Sequence, residues 1–126
     1  MKYKISASIA LGIMLAAGAA WAHHSFSALF DINQLVTLTG TLTKLDWRNP
    51  HIWLSVDAKN DKGQVETWLF EGDAPNSYAT RKISKADFEK AIGQTLTVEA
   101  NPAREGARRG HFRKITYSDG RDVLQQ

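Results

Sequence analysis

The sequence predicts a mainly β protein: an OB-like, five-stranded small barrel with one helix between strands three and four, preceded by a cleaved signal peptide. Three observations predict it. Five short segments read as strands, the clearest with apolar and polar residues in alternation, the period of a sheet with one buried face. One capped helical segment falls between the third and the fourth. That strand count and helix position match an OB barrel, whose ligands meet the face of strands two and three and the loops joining strands one to two and four to five. A small open α+β sandwich is the alternative for the same order of elements.

The leader is read first. Met1-Lys2-Tyr3-Lys4 is a short basic start, Ile5 to Ala22 carries no charge, and Ala20-Trp21-Ala22 is an A-x-A cleavage pattern. A membrane anchor competes with this reading, but the uncharged run is near the minimum spanning length and is diluted with Ser, Gly and Ala. The expected layout is a signal peptide over 1–22 and a single OB-like domain over 23–126, with an N-terminal arm over 23–34. The expected location is periplasmic or secreted, with no membrane span after cleavage. Removing 22 residues from 126 leaves 104, with 14 Lys+Arg against 13 Asp+Glu. Such a chain is not a polycation, and no nucleic-acid partner is expected. With no Cys there is no disulfide, no thiolate metal site and no Cys nucleophile. A chain of this size buries roughly two-thirds of its unfolded surface, enough for one core without staples.

Each element follows in order. Phe26, Leu29, Phe30 and Ile32 are placed to anchor the arm on the barrel. From Leu35 to Trp47, Val36, Leu38 and Leu42 share one face, whereas Leu45 and Trp47 take the other parity. A parity switch after Gly40 predicts one long strand bent through a bulge. Arg48-Asn49-Pro50 turns the chain. Ile52, Leu54 and Val56 then alternate with Trp53 and Ser55 as strand two. Lys59 to Gly63 is a polar hairpin turn, and Gln64 to Glu71 is strand three, where Trp68-Leu69-Phe70 hides the inward face. Asp73 to Asn76 begins a turn or short helix. Ser84 and Asp87 form a capping box, Ile83 and Phe88 a hydrophobic staple, Ala91 and Ile92 continue the apolar stripe, and Gly93 ends the helix. Leu96, Val98 and Ala100 mark strand four. Asn101 to Gly110 is a Gly/Arg loop, and His111 to Tyr117 is strand five, before a turn at Ser118-Asp119-Gly120.

Several of these stretches carry a resemblance. They are His23-His24-Ser25-Phe26, Leu38-Thr39-Gly40-Thr41, Trp47-Arg48-Asn49-Pro50-His51, Phe70-Glu71-Gly72 with Pro75-Asn76, and Ser118-Asp119-Gly120-Arg121. In this order and spacing the chain resembles a family of small exported bacterial proteins catalogued as domain of unknown function six-one-five-two, over nearly the whole mature length. It departs from those relatives at Ile83, where they tend to carry Trp before the helix. The resemblance implies an exported single-domain protein and supplies no catalytic residues, so function is argued from the site.

Four histidines bear on function: His23, His24, His51 and His111. Cleavage after Ala22 makes His23 the first residue. Its free α-amine and imidazole can then chelate one ion, with an imidazole from the fold as third nitrogen. Nitrogen ligands in a square or tetragonal set favour Cu(II) over Zn(II). Alternatively, His24 at position two binds Cu(II) through the amine, the intervening amide and its own ring. His51, opening strand two after Pro50, is the first choice for the fold-supplied ligand, and His111 is the second. The expected metal set is therefore His23, His24 and His51, with copper as the cofactor. The competing reading is a solvated start and a turn histidine. No H-E-x-x-H is present, which argues against a zinc hydrolase.

A second constellation is aromatic and basic. Trp53 and Trp68 on strands two and three, with Arg104, Arg108 and Arg109 in the loop before strand five, make a surface for an anionic small molecule or oligosaccharide. Against this, a barrel of this size needs large core residues, and an Arg run is commonly a solvated loop. No acid pair stands out by spacing. There is no nucleophile elbow, P-loop or dinucleotide fingerprint. The residues point to a binding or accessory protein rather than an enzyme, with a copper oxidase-type activity as a third reading.

Overall fold

The computed structural model describes residues 26–124. After a helical turn over residues 26–29, six strands and two short helices follow one another: β1 (Val36–Asp46), β2 (Trp53–Lys59), β3 (Val65–Glu71), α1 (Pro75–Ala79), α2 (Lys85–Glu89), β4 (Thr95–Pro102), β5 (Arg109–Tyr117) and β6 (Asp122–Leu124). β1 pairs with β4 through its first half and with β2 through its second, both antiparallel. β2 pairs with β3, and β4 with β5. A short parallel pairing of β3 with β5, from Leu69↔Arg109 to Glu71↔His111, closes the five strands into the predicted barrel. β6 is added as a hairpin on β5, beyond the five strands of the expectation.

β1 bends where the parity switch requires it. Its register with β2 slips between Leu42 and Lys44, so Thr43 is the extra residue, and its hydroxyl donates to the Ser55 carbonyl at 3.1 Å. Gly40 has a different role. It lies where β1 leaves β4 for β2, and a Cβ there would collide with the Asp57 carbonyl oxygen and lie 2.9 Å from Val56 Cγ1. β5 bulges at Arg113, since Glu99 faces Lys114 and Ala100 faces Phe112.

The core is the inward parity of these strands. Leu42, Leu54, Val56, Phe70, Val98, Phe112 and Ile115 are fully buried together. The helices close one end. The capping box of α2 is present, with Asp87 N donating to Ser84 Oγ and Ser84 N to the Asp87 carboxylate. Phe88 is buried and Ile83 packs on the core, as the staple predicts, and Trp47 packs on Tyr78 and Phe88 with ring centroids 5.7 and 5.5 Å apart. Ile92 departs from expectation: Ala91 is buried, but Ile92 lies in the turn after α2 and is exposed. The segment from Asp73 forms a helix of its own, α1, so two short helices stand between β3 and β4 where one was expected.

Of the arm's apolar side chains, only the two aromatics pack on the barrel. Phe30 is buried and bridges Ala103, and Phe26 packs at 5.3 Å from Phe30, whereas Leu29 and Ile32 are exposed. Backbone bonds from Asp31 N to Pro102 O and from Arg104 N to Leu29 O tie it to the end of β4. Among the described residues no helix is long and apolar enough to cross a membrane. The predicted signal peptide lies outside the described residues.

Candidate functional site

The registers bring two rows of side chains across the outer face of β1, β2, β3 and β5. Lys44, Ser55, Leu69 and Arg109 form one row; Asp46, Trp53, Glu71 and His111 form the next. His51, two residues before Trp53, continues the outward parity of β2 one step further.

At this end of the barrel the chain beyond β3 is drawn close. Gly72 N donates to Ile52 O, and Ile52 N donates to Asp73 O, so the β2–β3 ladder continues past the strands. Gly72 fits because it lacks a side chain: a Cβ there would lie 2.5 Å from Phe112 and 2.6 Å from Tyr78 Oη. That close approach leaves the Gly72 carbonyl facing His51, whose Nδ1–H donates to it at 3.0 Å. The imidazole is thereby turned so that Nε2 lies 3.3 Å from Glu71 Oε1. The His51 ring is partly open to solvent, whereas the Glu71 side chain is only 11% exposed. Burial pushes the Glu71 carboxyl above the usual range, and the charges of His51 and Arg109 pull the other way. Asp73 behaves likewise, raised by burial and opposed by Arg81, His51 and Arg113.

His111 sits in the same row as Glu71 but is covered. Phe26 meets its ring edge-on at 4.7 Å, and Phe30 lies at 5.7 Å. Burial, then the positive charges of Arg113 and His51, push its pKa down to about 4. It is a neutral imidazole at ordinary pH. Of the expected metal set, His51 stands beside Glu71, while His23 and His24 lie outside the described residues. Among the described residues no three His, Asp or Glu side chains converge as a metal-holding group.

The second constellation divides. Trp53 and Arg109 come together, the guanidinium 5.6 Å from the ring centroid. They line a cleft of about 420 Å³ with Lys44, Asp46, Arg48 and Ser55. Trp68 instead takes the inward parity of β3 and stacks on Phe70 at 6.0 Å. Arg104 donates to Ser27 O at 2.6 Å and pairs with Asp31, so it holds the arm. Arg108 pairs with Glu66 at 3.7 Å. Lys44, Arg48 and Glu71 are the residues that sequence reasoning did not select. With the bulge at Thr43 known, the outward parity of Lys44 and Asp46 beside Trp53 and Ser55 would have found the first of them.

The sequence pattern of one family matches residues 11–113, which include every strand of this face except the end of β5. The chain belongs to the family of unknown function DUF6152. No curated protein and no solved structure matches it. The arrangement on this DUF6152 barrel therefore has to be read from its own chemistry. One end offers an oriented imidazole beside a buried carboxylate, and the adjoining cleft offers three cations around an indole.

Proposed function

We propose that this chain is an exported binding protein that holds Cu(II) between its processed N-terminus and His51. The observation that carries the reading is the posture of His51. Its Nδ1–H is tied to a backbone carbonyl, so Nε2, 3.3 Å from Glu71 Oε1, is the nitrogen that would meet an ion. Metal-ligating histidines are held in this way, because the bond fixes both tautomer and ring orientation. The position of Phe26 supports the reading too. It lies against His111, on the same outer face as His51, and His23 precedes it by three residues. Three residues span at most about 10–11 Å. Cleavage after Ala22 would free the amine of His23 within that reach. An amine and two imidazoles favour Cu(II), and His24 offers the alternative amine–amide–ring mode.

The test is Cu(II) titration of the processed protein with electron paramagnetic resonance. Binding should release protons and weaken at low pH, since amine and imidazole must both be deprotonated. Adding one Met before His23 should abolish tight binding although every side chain remains, and His51→Ala should weaken it. Equal affinity in the Met-extended protein would sink the N-terminal mechanism.

A second reading, an anionic small molecule or oligosaccharide on the outer face, is favoured by the cleft around Trp53 and Arg109. Arg48 is shared with Asp46 at 3.1 Å and Arg109 with Glu105 at 3.3 Å, yet the lining keeps an excess of positive charge. The buried Nε of Arg109 has no hydrogen-bond partner among the described residues. Binding of a sugar acid from a screened panel should weaken as salt rises. The triple variant Lys44→Ala, Arg48→Ala, Arg109→Ala should lose that dependence, and Arg104→Ala should keep it. Unchanged binding by the triple variant would make the cleft an ordinary solvated face.

A further inference from the structure

Glu71 is a buried carboxylate beside His51 that the N-terminal chelate leaves unused. Resting on the copper reading above, we propose that Glu71 is a second ligand supplied by the barrel, so that the ion sits between His51 Nε2 and a Glu71 carboxylate oxygen as well as on the processed terminus.

Three features of the pair point this way. The first is the spacing. An imidazole nitrogen and a carboxylate oxygen each bind a small divalent ion at about 2.0–2.2 Å, and at angles near 90–110° the two atoms then lie about 3.0–3.5 Å apart. Nε2 and Oε1 are 3.3 Å apart. The second is rigidity. Glu71 ends β3 inside the closing β3–β5 pairing, with Trp53 and His111 as its register partners. His51 is held by the Gly72 carbonyl that follows Glu71 directly in the chain. The backbone therefore sets the two residues side by side, as a preorganised ligand pair requires. The third is accessibility. Glu71 is nearly covered while His51 is partly open, so the pair has a protected floor and one exposed side from which an ion and a chain terminus can arrive.

The experiment compares Glu71→Gln, Glu71→Asp and His51→Ala in the processed protein with Cu(II), and in the Met-extended protein with Zn(II). Glu71→Gln keeps the volume and one acceptor oxygen while removing the charge, and thermal melts of the metal-free proteins check the fold. In the processed protein, Glu71→Gln should weaken Cu(II) by more than about tenfold, the low end of what even an outer-shell partner contributes. It should also alter the resonance spectrum, with Glu71→Asp falling between. In the Met-extended protein, Zn(II) should bind weakly and saturably, shift the His51 ring resonances in NMR, and lose that effect in both Glu71→Gln and His51→Ala. Wild-type Cu(II) affinity and spectrum in Glu71→Gln would make Glu71 an ion-pair partner only. Absence of saturable Zn(II) binding at millimolar metal would likewise overturn the barrel-supplied pair. If Cu(II) binding instead ignores both the Met extension and His51→Ala, the copper reading itself falls, and the Zn(II) arm still decides the role of Glu71.

Discussion

Replacing Leu54 with alanine should lower the stability of the barrel by about 2–5 kcal/mol. Leu54 is fully buried, stands opposite Leu45 on β1 and Phe70 on β3, and faces the same core as Leu42 and Phe112. Its removal takes apolar atoms out of the centre of a closed sheet. The strands around it are hydrogen-bonded on both sides and cannot collapse inward to fill the gap, so a cavity is added to the lost transfer energy. For a domain whose whole stability is on the order of 5–15 kcal/mol, that is a large fraction. Ser55→Ala is the control, since Ser55 points outward on the same strand and only its carbonyl is used, by Thr43. Denaturant unfolding of the two variants should separate them clearly. A change in Leu54→Ala within about 0.5 kcal/mol, the range of surface sites, would contradict the inward parity of β2.

That parity was legible because β2 alternates without interruption. Elsewhere the sequence was ambiguous for identifiable reasons. In β3, Trp68, Leu69 and Phe70 are all apolar, so alternation cannot say which face is inward. The register with β2 decides it, placing Leu69 beside Ser55 on the outer face and Trp68 against Phe70 inside. In β1 the parity switch was visible, but the extra residue is Thr43 and not the glycine. Gly40 is demanded by a close approach to β2 that no local pattern reveals. The Arg loop looked like one basic surface, yet its three guanidinium groups face three directions, set by Asp31, Glu66 and Trp53. The row through Glu71 and His111 depends on a three-residue parallel pairing between strands about forty residues apart, the kind of contact local sequence cannot encode.

His51, Glu71 and His111 belong to one face with the cationic cleft, and Glu71 links the two, since it feels both His51 and Arg109. The copper and anion readings therefore share a wall. Losing Arg109 removes a positive charge that opposes metal approach and that also draws Glu71 toward its ionised form.

Acid should destabilise the metal-free barrel through His111 before most carboxylates protonate. Burial chiefly, then the charges of Arg113 and His51, set the folded imidazole at about 4 against 6.5 for the free side chain. Between those values the unfolded chain binds a proton at this residue that the folded chain excludes. Stability from this group is thus complete above about pH 6.5 and is lost as the pH falls towards 4, with a full effect of about 3 kcal/mol. Glu71 and Asp73 act in the opposite sense, because burial raises their folded values and protonation favours the fold there. A difference measurement isolates the histidine. Unfolding free energies of wild type and His111→Gln, followed from pH 7.5 to pH 4.5 without metal, should converge as the pH falls, because only wild type carries this loss. Phe26 and Phe30 cover the ring, so Phe26→Ala should open it to water and flatten the wild-type slope. Parallel pH profiles for wild type and His111→Gln would mean that His111 takes up its proton in the folded barrel as readily as in the unfolded chain.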